Sequence, residues 1–101
     1  MKHFLLVYDF VPDYMDRRGQ YRNDHLRYAW SAVERKELIL GGALADPPDH
    51  GYLLFAGDDA DLPARFAAND PYVVNGLVTS WQVREWTTVV GTSAATPVKP
   101  E

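Results

Sequence analysis

Residues 3–10, HFLLVYDF, and residues 52–56, YLLFA, decide the fold. Both stretches are rich in β-branched and aromatic side chains, the composition of strands. Side chains alternate between the two faces of a strand. Phe4, Leu6 and Tyr8 therefore oppose Leu5 and Val7, and Tyr52, Leu54 and Ala56 oppose Leu53 and Phe55. A sheet with one wet face would alternate apolar with polar residues. These two strands are apolar front and back, which makes them the central pair of a sheet covered on both sides.

Working outward, Leu26, Ala29, Trp30 and Val33 recur at helical spacing and predict a helix over 23–36. Gly19 leaves open whether that helix already begins near Asp13. Residues 38–44, LILGGAL, read as a second strand, and the glycines inside it suggest a bulge or a close backbone approach. Pro47 and Pro48 mark a turn. Asp58, Asp59 and Asp61 precede a short helix over 62–68, where acidic residues suit a helix N-terminus. A last strand runs over 78–88. The order is β-α-β-β-α-β, the split βαβ pattern of α+β, ferredoxin-like domains. Residues 1–90 read as that one domain and residues 91–101, GTSAATPVKPE, as a flexible C-terminal tail.

Two helices in such a unit cover one face of the sheet. Leaving Leu5, Val7, Leu53 or Phe55 in water would forgo roughly 1.5–3 kcal/mol per side chain. A two-fold homodimer with sheet against sheet is the expected remedy, with higher homo-oligomers also open. Coverage by the tail or a long loop is the alternative. The chain has 101 residues and no cysteine, so a thin core has neither disulfides nor thiolate metal sites to support it. A net charge of -4 argues against nucleic-acid partners. No apolar run reaches the roughly 20 residues needed to span a membrane. The N-terminal apolar stretch lacks a small-residue cleavage site and reads as a strand, so a cytoplasmic location is expected.

Of the three histidines, His3 falls in a strand and His50 in a turn. His25 lies on the principal helix, preceded by Arg22 and Arg18 at intervals of three and seven, which places all three on one helix face. Neighbouring guanidiniums disfavour a charged imidazole. A neutral imidazole suits a general base, and the arginines suit a carboxylate or enolate oxygen. A solvated basic helix face is the plainer reading. Asp70-Pro71 has the look of a helix N-cap followed by its first residue. The alternative is a carboxylate that orients His25 from outside its helix. The chain has no GxGxxG, P-loop, HExxH or GxSxG motif, and its scattered histidines offer no metal-ligand spacing. No cofactor or metal is expected.

Together, Arg22-Asn23-Asp24-His25-Leu26, the glycines Gly41-Gly42, Asp70-Pro71-Tyr72-Val73 and Gly76 make the chain resemble the YciI-like (YCII-related) family over about residues 2–88. Arg18 also falls where family members often carry a basic residue. The resemblance implies a dimeric α/β-barrel, related in fold to muconolactone isomerases and small barrel monooxygenases. It also implies a cleft with a His–Asp pair proposed as catalytic, here His25 and Asp70. Two positions depart from the family pattern. Ala43 stands where a proline often follows the second-strand glycine, and Lys36-Glu37 where a glycine often precedes that strand. The pocket wall near Gly42 is therefore open to difference.

These readings lead to an enzyme-like protein acting on a small anionic or oxygenated organic molecule. His25 serves as acid/base assisted by Asp70, Arg18 and Arg22 bind the anion, and Gly42 and Tyr72 contribute to the pocket. The reaction would be isomerisation or elimination next to a carbonyl, dehydrochlorination being one form of it. Two alternatives stand beside it: a non-catalytic metabolite-binding or regulatory module, and a cofactor-free monooxygenase-like barrel in which Trp30, Trp81 and Trp86 line an aromatic pocket. Core packing is the simpler role for those tryptophans.

Overall fold

A computed structural model describes residues 1–101. Strand β1 (Lys2–Phe10) is followed by a short helix α1 (Tyr14–Arg17), a 3₁₀ turn (Arg18–Gln20) and helix α2 (Arg22–Glu34). Strands β2 (Leu38–Ala43) and β3 (His50–Gly57) come next, then helices α3 (Asp61–Asn69) and α4 (Pro71–Val74), and finally β4 (Val78–Trp86). The four strands form one antiparallel sheet in the order β2-β3-β1-β4. This is the ferredoxin-like arrangement, with β1 and β3 central.

The long polar and apolar mixture after β1 is not one helix. It turns at Gln20–Tyr21, so Arg18 belongs to the 3₁₀ turn and only Arg22 and His25 to α2. At its other end α2 closes with Lys36 in a left-handed conformation, φ 63°. There Lys36 N–H donates to Val33 O and Glu37 N–H to Ala32 O. Helix α4 ends in the same hydrogen-bond pattern with Gly76 at φ 78°. A left-handed C-terminal cap normally selects glycine, and Lys36 shows the backbone conformation kept without it.

The register corrects one part of the strand reading. Phe4 pairs with Phe55 and Leu6 with Leu53, so Leu53 and Phe55 lie on the helix-covered face with Phe4, Leu6 and Tyr8. Directly opposed residues share a face, and the face of β3 is therefore fixed by its pairing, which one strand's sequence does not reveal. Small residues let α2 approach that face closely: Ala29 and Ala32 are buried, joined by Phe66 and Ala67 of α3. The opposite face carries Leu5, Val7 and Leu54, half-buried, with Leu40, Tyr52 and Trp86 exposed. The C-terminal segment reaches one corner of it. His3 Nδ1 lies 2.7 Å from Thr88 Oγ1, and residues 87–94 border a shallow hollow with Leu54 and Trp86. The segment turns back on itself through hydrogen bonds from Thr96 N–H to Thr88 O and Val98 N–H to Val89 O.

Candidate active site

Asp70 is the hinge of the site. It follows α3 and precedes α4, with Pro71 as the first residue of that helix, and its side chain has 0% exposure. Three groups converge on its carboxylate. Tyr72 N–H donates to Oδ1 at 3.0 Å, which is the N-cap bond. Tyr8 Oη donates to Oδ2 at 2.7 Å. His25 Nδ1 lies 2.8 Å from Oδ1. Capping and orienting are thus one arrangement of one side chain, not alternatives. Aspartate reaches both because its short side chain at an N-cap folds back onto the helix start and leaves its second oxygen and outer lone pairs free.

Tyr8 was not singled out by its sequence, where it is one more aromatic residue in a strand. It is 1% exposed. Burial, followed by the nearby Asp70 charge, pushes its phenol far above the ordinary tyrosine range. The hydroxyl therefore stays protonated and available as a donor. With an amide and a phenol already donating, an acceptor carboxylate is matched by a third N–H, that of His25 Nδ1. Donation from Nδ1 corresponds to the tautomer whose lone pair is on Nε2.

His25 stacks face to face on Tyr72, with ring centroids 3.9 Å apart and planes within 6°. The imidazole is 14% exposed and borders a cavity of about 350 Å³ between α2 and strands β2 and β3. Arg18, Arg22, Gly42 and Tyr72 border the same cavity. Asp70 does not; it sits behind His25. Arg18 is placed by Tyr14, whose ring lies 5.7 Å beneath its guanidinium. The Tyr72 phenol is pushed up to about 12, first by burial and then by Tyr14, while Arg18 and Arg22 pull it down. Its hydroxyl therefore stays protonated, with Tyr14, Arg18 and Arg22 as its neighbours.

The glycines divide the pocket wall differently from the sequence reading. A Cβ at Gly42 would meet nothing within 4 Å, and Gly42 pairs with Tyr52 of the outer face. A Cβ at Gly41 would lie 3.4 Å from Leu53 Cγ, and one at Gly51 would lie 2.7 Å from Phe10 Cζ. Gly51 lets the Phe10 ring lie on the strand, where it stacks 3.8 Å from Tyr14. Of the tryptophans, only Trp30 borders the cavity; Trp81 and Trp86 lie elsewhere, and all three are exposed rather than packed in the core.

The chain thus combines a ferredoxin-like sheet with a buried His–carboxylate pair beside a largely apolar cavity. More particularly, the YCII-related domain family matches residues 1–87, and the chain belongs to that family. No curated protein sequence matches the chain. Among solved structures it is similar to 5-chloro-2-hydroxyhydroquinone dehydrochlorinase (TftG) from Burkholderia phenoliruptrix AC1100, solved with 2,5-dihydroxybenzoquinone. That similarity has a TM-score of 0.71 at 21% identity, covering 85% of this chain and 94% of the other. A candidate antibiotic biosynthesis monooxygenase from Deinococcus radiodurans gives a TM-score of 0.54 at 13% identity, with 92% and 97% covered. A NIPSNAP family protein from Agrobacterium tumefaciens gives 0.54 at 12%, with 92% and 95% covered. At these identities the likeness concerns the fold, that of the dimeric α/β-barrels. No helix of the chain is long and apolar enough to cross a membrane.

Proposed function

We propose that the chain is an acid–base enzyme acting on a small oxygenated or anionic organic molecule. His25 Nε2 would remove a proton from carbon next to a carbonyl. The observation that carries this is the three-way hold on Asp70, which supports a His25 tautomer with its proton on Nδ1 and its lone pair on Nε2. Base–orienter pairs of this kind are the usual means of activating a neutral imidazole. The C–H electrons move into the carbonyl, giving an enolate whose oxygen is met by Arg18, Arg22 and the Tyr72 hydroxyl. Preorganised donors aimed at developing negative charge supply a large share of such catalysis. Return of the proton from Nε2 to another carbon gives isomerisation. Loss of a neighbouring anionic leaving group gives elimination, with the proton left on His25. The dehydrochlorinase named above supports the second outcome by its fold and its stated activity, at 21% identity.

The proposed assembly is a homodimer. Leu5, Val7, Leu54 and Tyr52 form an apolar stripe on the sheet face that no helix covers, and the C-terminal segment reaches only the His3 corner. A second sheet would remove that stripe from water. A monomeric mass in solution would sink this assembly without touching the acid–base reading.

Deuterium uptake tests the chemistry. Hydroxylated quinones and β-keto acids are incubated with the protein in D₂O, and exchange at carbon is followed by proton NMR. Wild type is expected to accelerate exchange in a member of the panel, and His25→Gln to lower that rate by a factor of about 10² or more. Equal rates in the two proteins would exclude His25 as the base. A titration in which ligands bind and nothing exchanges would favour the metabolite-binding module instead.

A further inference from the structure

The cavity has two unlike ends, and His25 lies between them. Arg17, Arg27 and Arg35 each have a carboxylate within 4.0 Å, whereas Arg18 and Arg22 pair with none. No acidic side chain borders the cavity, although the chain as a whole carries a net charge of -4. Two free guanidiniums on one wall, in an acidic protein, are a site for an anion.

The other end is apolar and open to solvent. Leu26 and Trp30 of α2 border it with 39% and 62% exposure, and Ile39, at the irregularity in β2, borders it with 41%. Gly41, paired with Leu53 on the helix-covered face, leaves the strand wall bare between the two ends. Apolar side chains gathered at a cavity mouth, beside polar groups, mark a binding surface rather than a packing defect. Along α2, His25 stands about 4.5 Å beyond Arg22, and Trp30 about 7.5 Å beyond His25, at 1.5 Å per residue.

We infer that this site takes an amphipathic acid, with its anion at Arg18 and Arg22 and a flat apolar arm reaching Trp30. The inference rests on the acid–base reading for the choice of reacting carbon. In that reading the carbon beside His25 is the one adjoining the anionic group, and the arm lies beyond it. Recognition of the two ends does not require catalysis, so binding and turnover fail separately.

Calorimetric titration with 4-phenylbutyrate, butyrate and 4-phenylbutanamide tests the inference. 4-Phenylbutyrate is expected to bind about tenfold or more tighter than butyrate, the advantage that burying a phenyl ring confers. Its neutral amide should lose most of that affinity. Trp30→Ala should bring 4-phenylbutyrate close to butyrate and leave butyrate unchanged. Arg22→Gln should weaken both acids by a similar factor. His25→Gln should leave the preference in place while lowering any carbon–deuterium exchange, which separates the failure of this inference from that of the acid–base reading. Equal affinity for the two acids in wild type would overturn the inference. So would a phenyl preference that survives Trp30→Ala, or the absence of binding by either acid at millimolar concentration.

Discussion

The molecule contains two histidine–aspartate contacts of nearly equal length, and they are unlike in every other respect. His25 Nδ1 lies 2.8 Å from Asp70 Oδ1 on the helix-covered side of the sheet, with side-chain exposures of 14% and 0%. His50 Nδ1 lies 2.9 Å from Asp9 Oδ1 at the end of the open face, with exposures of 40% and 49%. Asp70 is gripped from three directions. Asp9 receives one side-chain hydrogen bond, from Ser80 Oγ at 2.7 Å, and His50 Nδ1 makes no aligned hydrogen bond at all. Proximity of an imidazole to a carboxylate therefore does not make a site. The buried pair has its geometry dictated by neighbours that cannot turn to water instead, while the other pair sits on two largely exposed side chains and leaves a buried Nδ1 without a hydrogen bond, so it is worth little.

The largest test of this contrast is stability. Asp70→Ala removes the α4 cap and strands the Tyr8 hydroxyl and Tyr72 N–H in the interior, and is expected to cost about 3 kcal/mol or more. Asp9→Ala should stay within about 0.5 kcal/mol. Urea unfolding of the two variants measures both, and comparable losses would erase the distinction drawn here.

Tyr8→Phe probes one leg of the grip on its own. It preserves the ring and removes the donor to Asp70 Oδ2, for an expected loss of about 1 kcal/mol in urea unfolding. Because the imidazole is then less firmly held, exchange at carbon should fall more than substrate affinity does. A variant that loses stability but keeps full exchange would make Tyr8 a packing residue only.

The alkaline limb gives a smaller and graded effect. Burial raises the phenols of Tyr8 and Tyr72, the latter to about 12, above the unperturbed value of about 10 that applies when the chain unfolds. Stability from these groups is fully present below pH 10 and is lost as pH rises toward 12, because the unfolded chain releases protons that the folded one retains. The urea midpoint should decline over that window, and less steeply in Tyr8→Phe. At the small end, His50→Gln should leave both exchange and affinity unchanged; a substantial loss there would show that the open-face pair takes part in the chemistry.

Much of the architecture was legible in the chain. The doubly apolar strands, the helical stripe and the proline and glycine breaks gave the element order, because hydrophobic period and turn chemistry are local properties. Element ends moved by a few residues where caps decide them, as at Lys36. The candidate pair was legible only in part. Asp70-Pro71 announced a cap, and the resemblance joined it to His25, but neither pointed to Tyr8, since nothing in HFLLVYDF distinguishes a strand tyrosine that holds a carboxylate from one that fills a core.

The sequence by itself determined a ferredoxin-like fold with two apolar central strands, a cluster of arginines before His25 and a capping aspartate at residue 70. Tertiary structure decided that Leu53 and Phe55 belong under the helices, that Gly41 and Gly51 rather than Gly42 leave the space that matters beside the cavity, and that Asp70 lies behind His25. The reason is common to all three. Each depends on strand register or on contacts between residues from different elements, from Gly41 against Leu53 to Tyr8 against Asp70, and such contacts are set by the packing of the whole chain, not by any stretch of it.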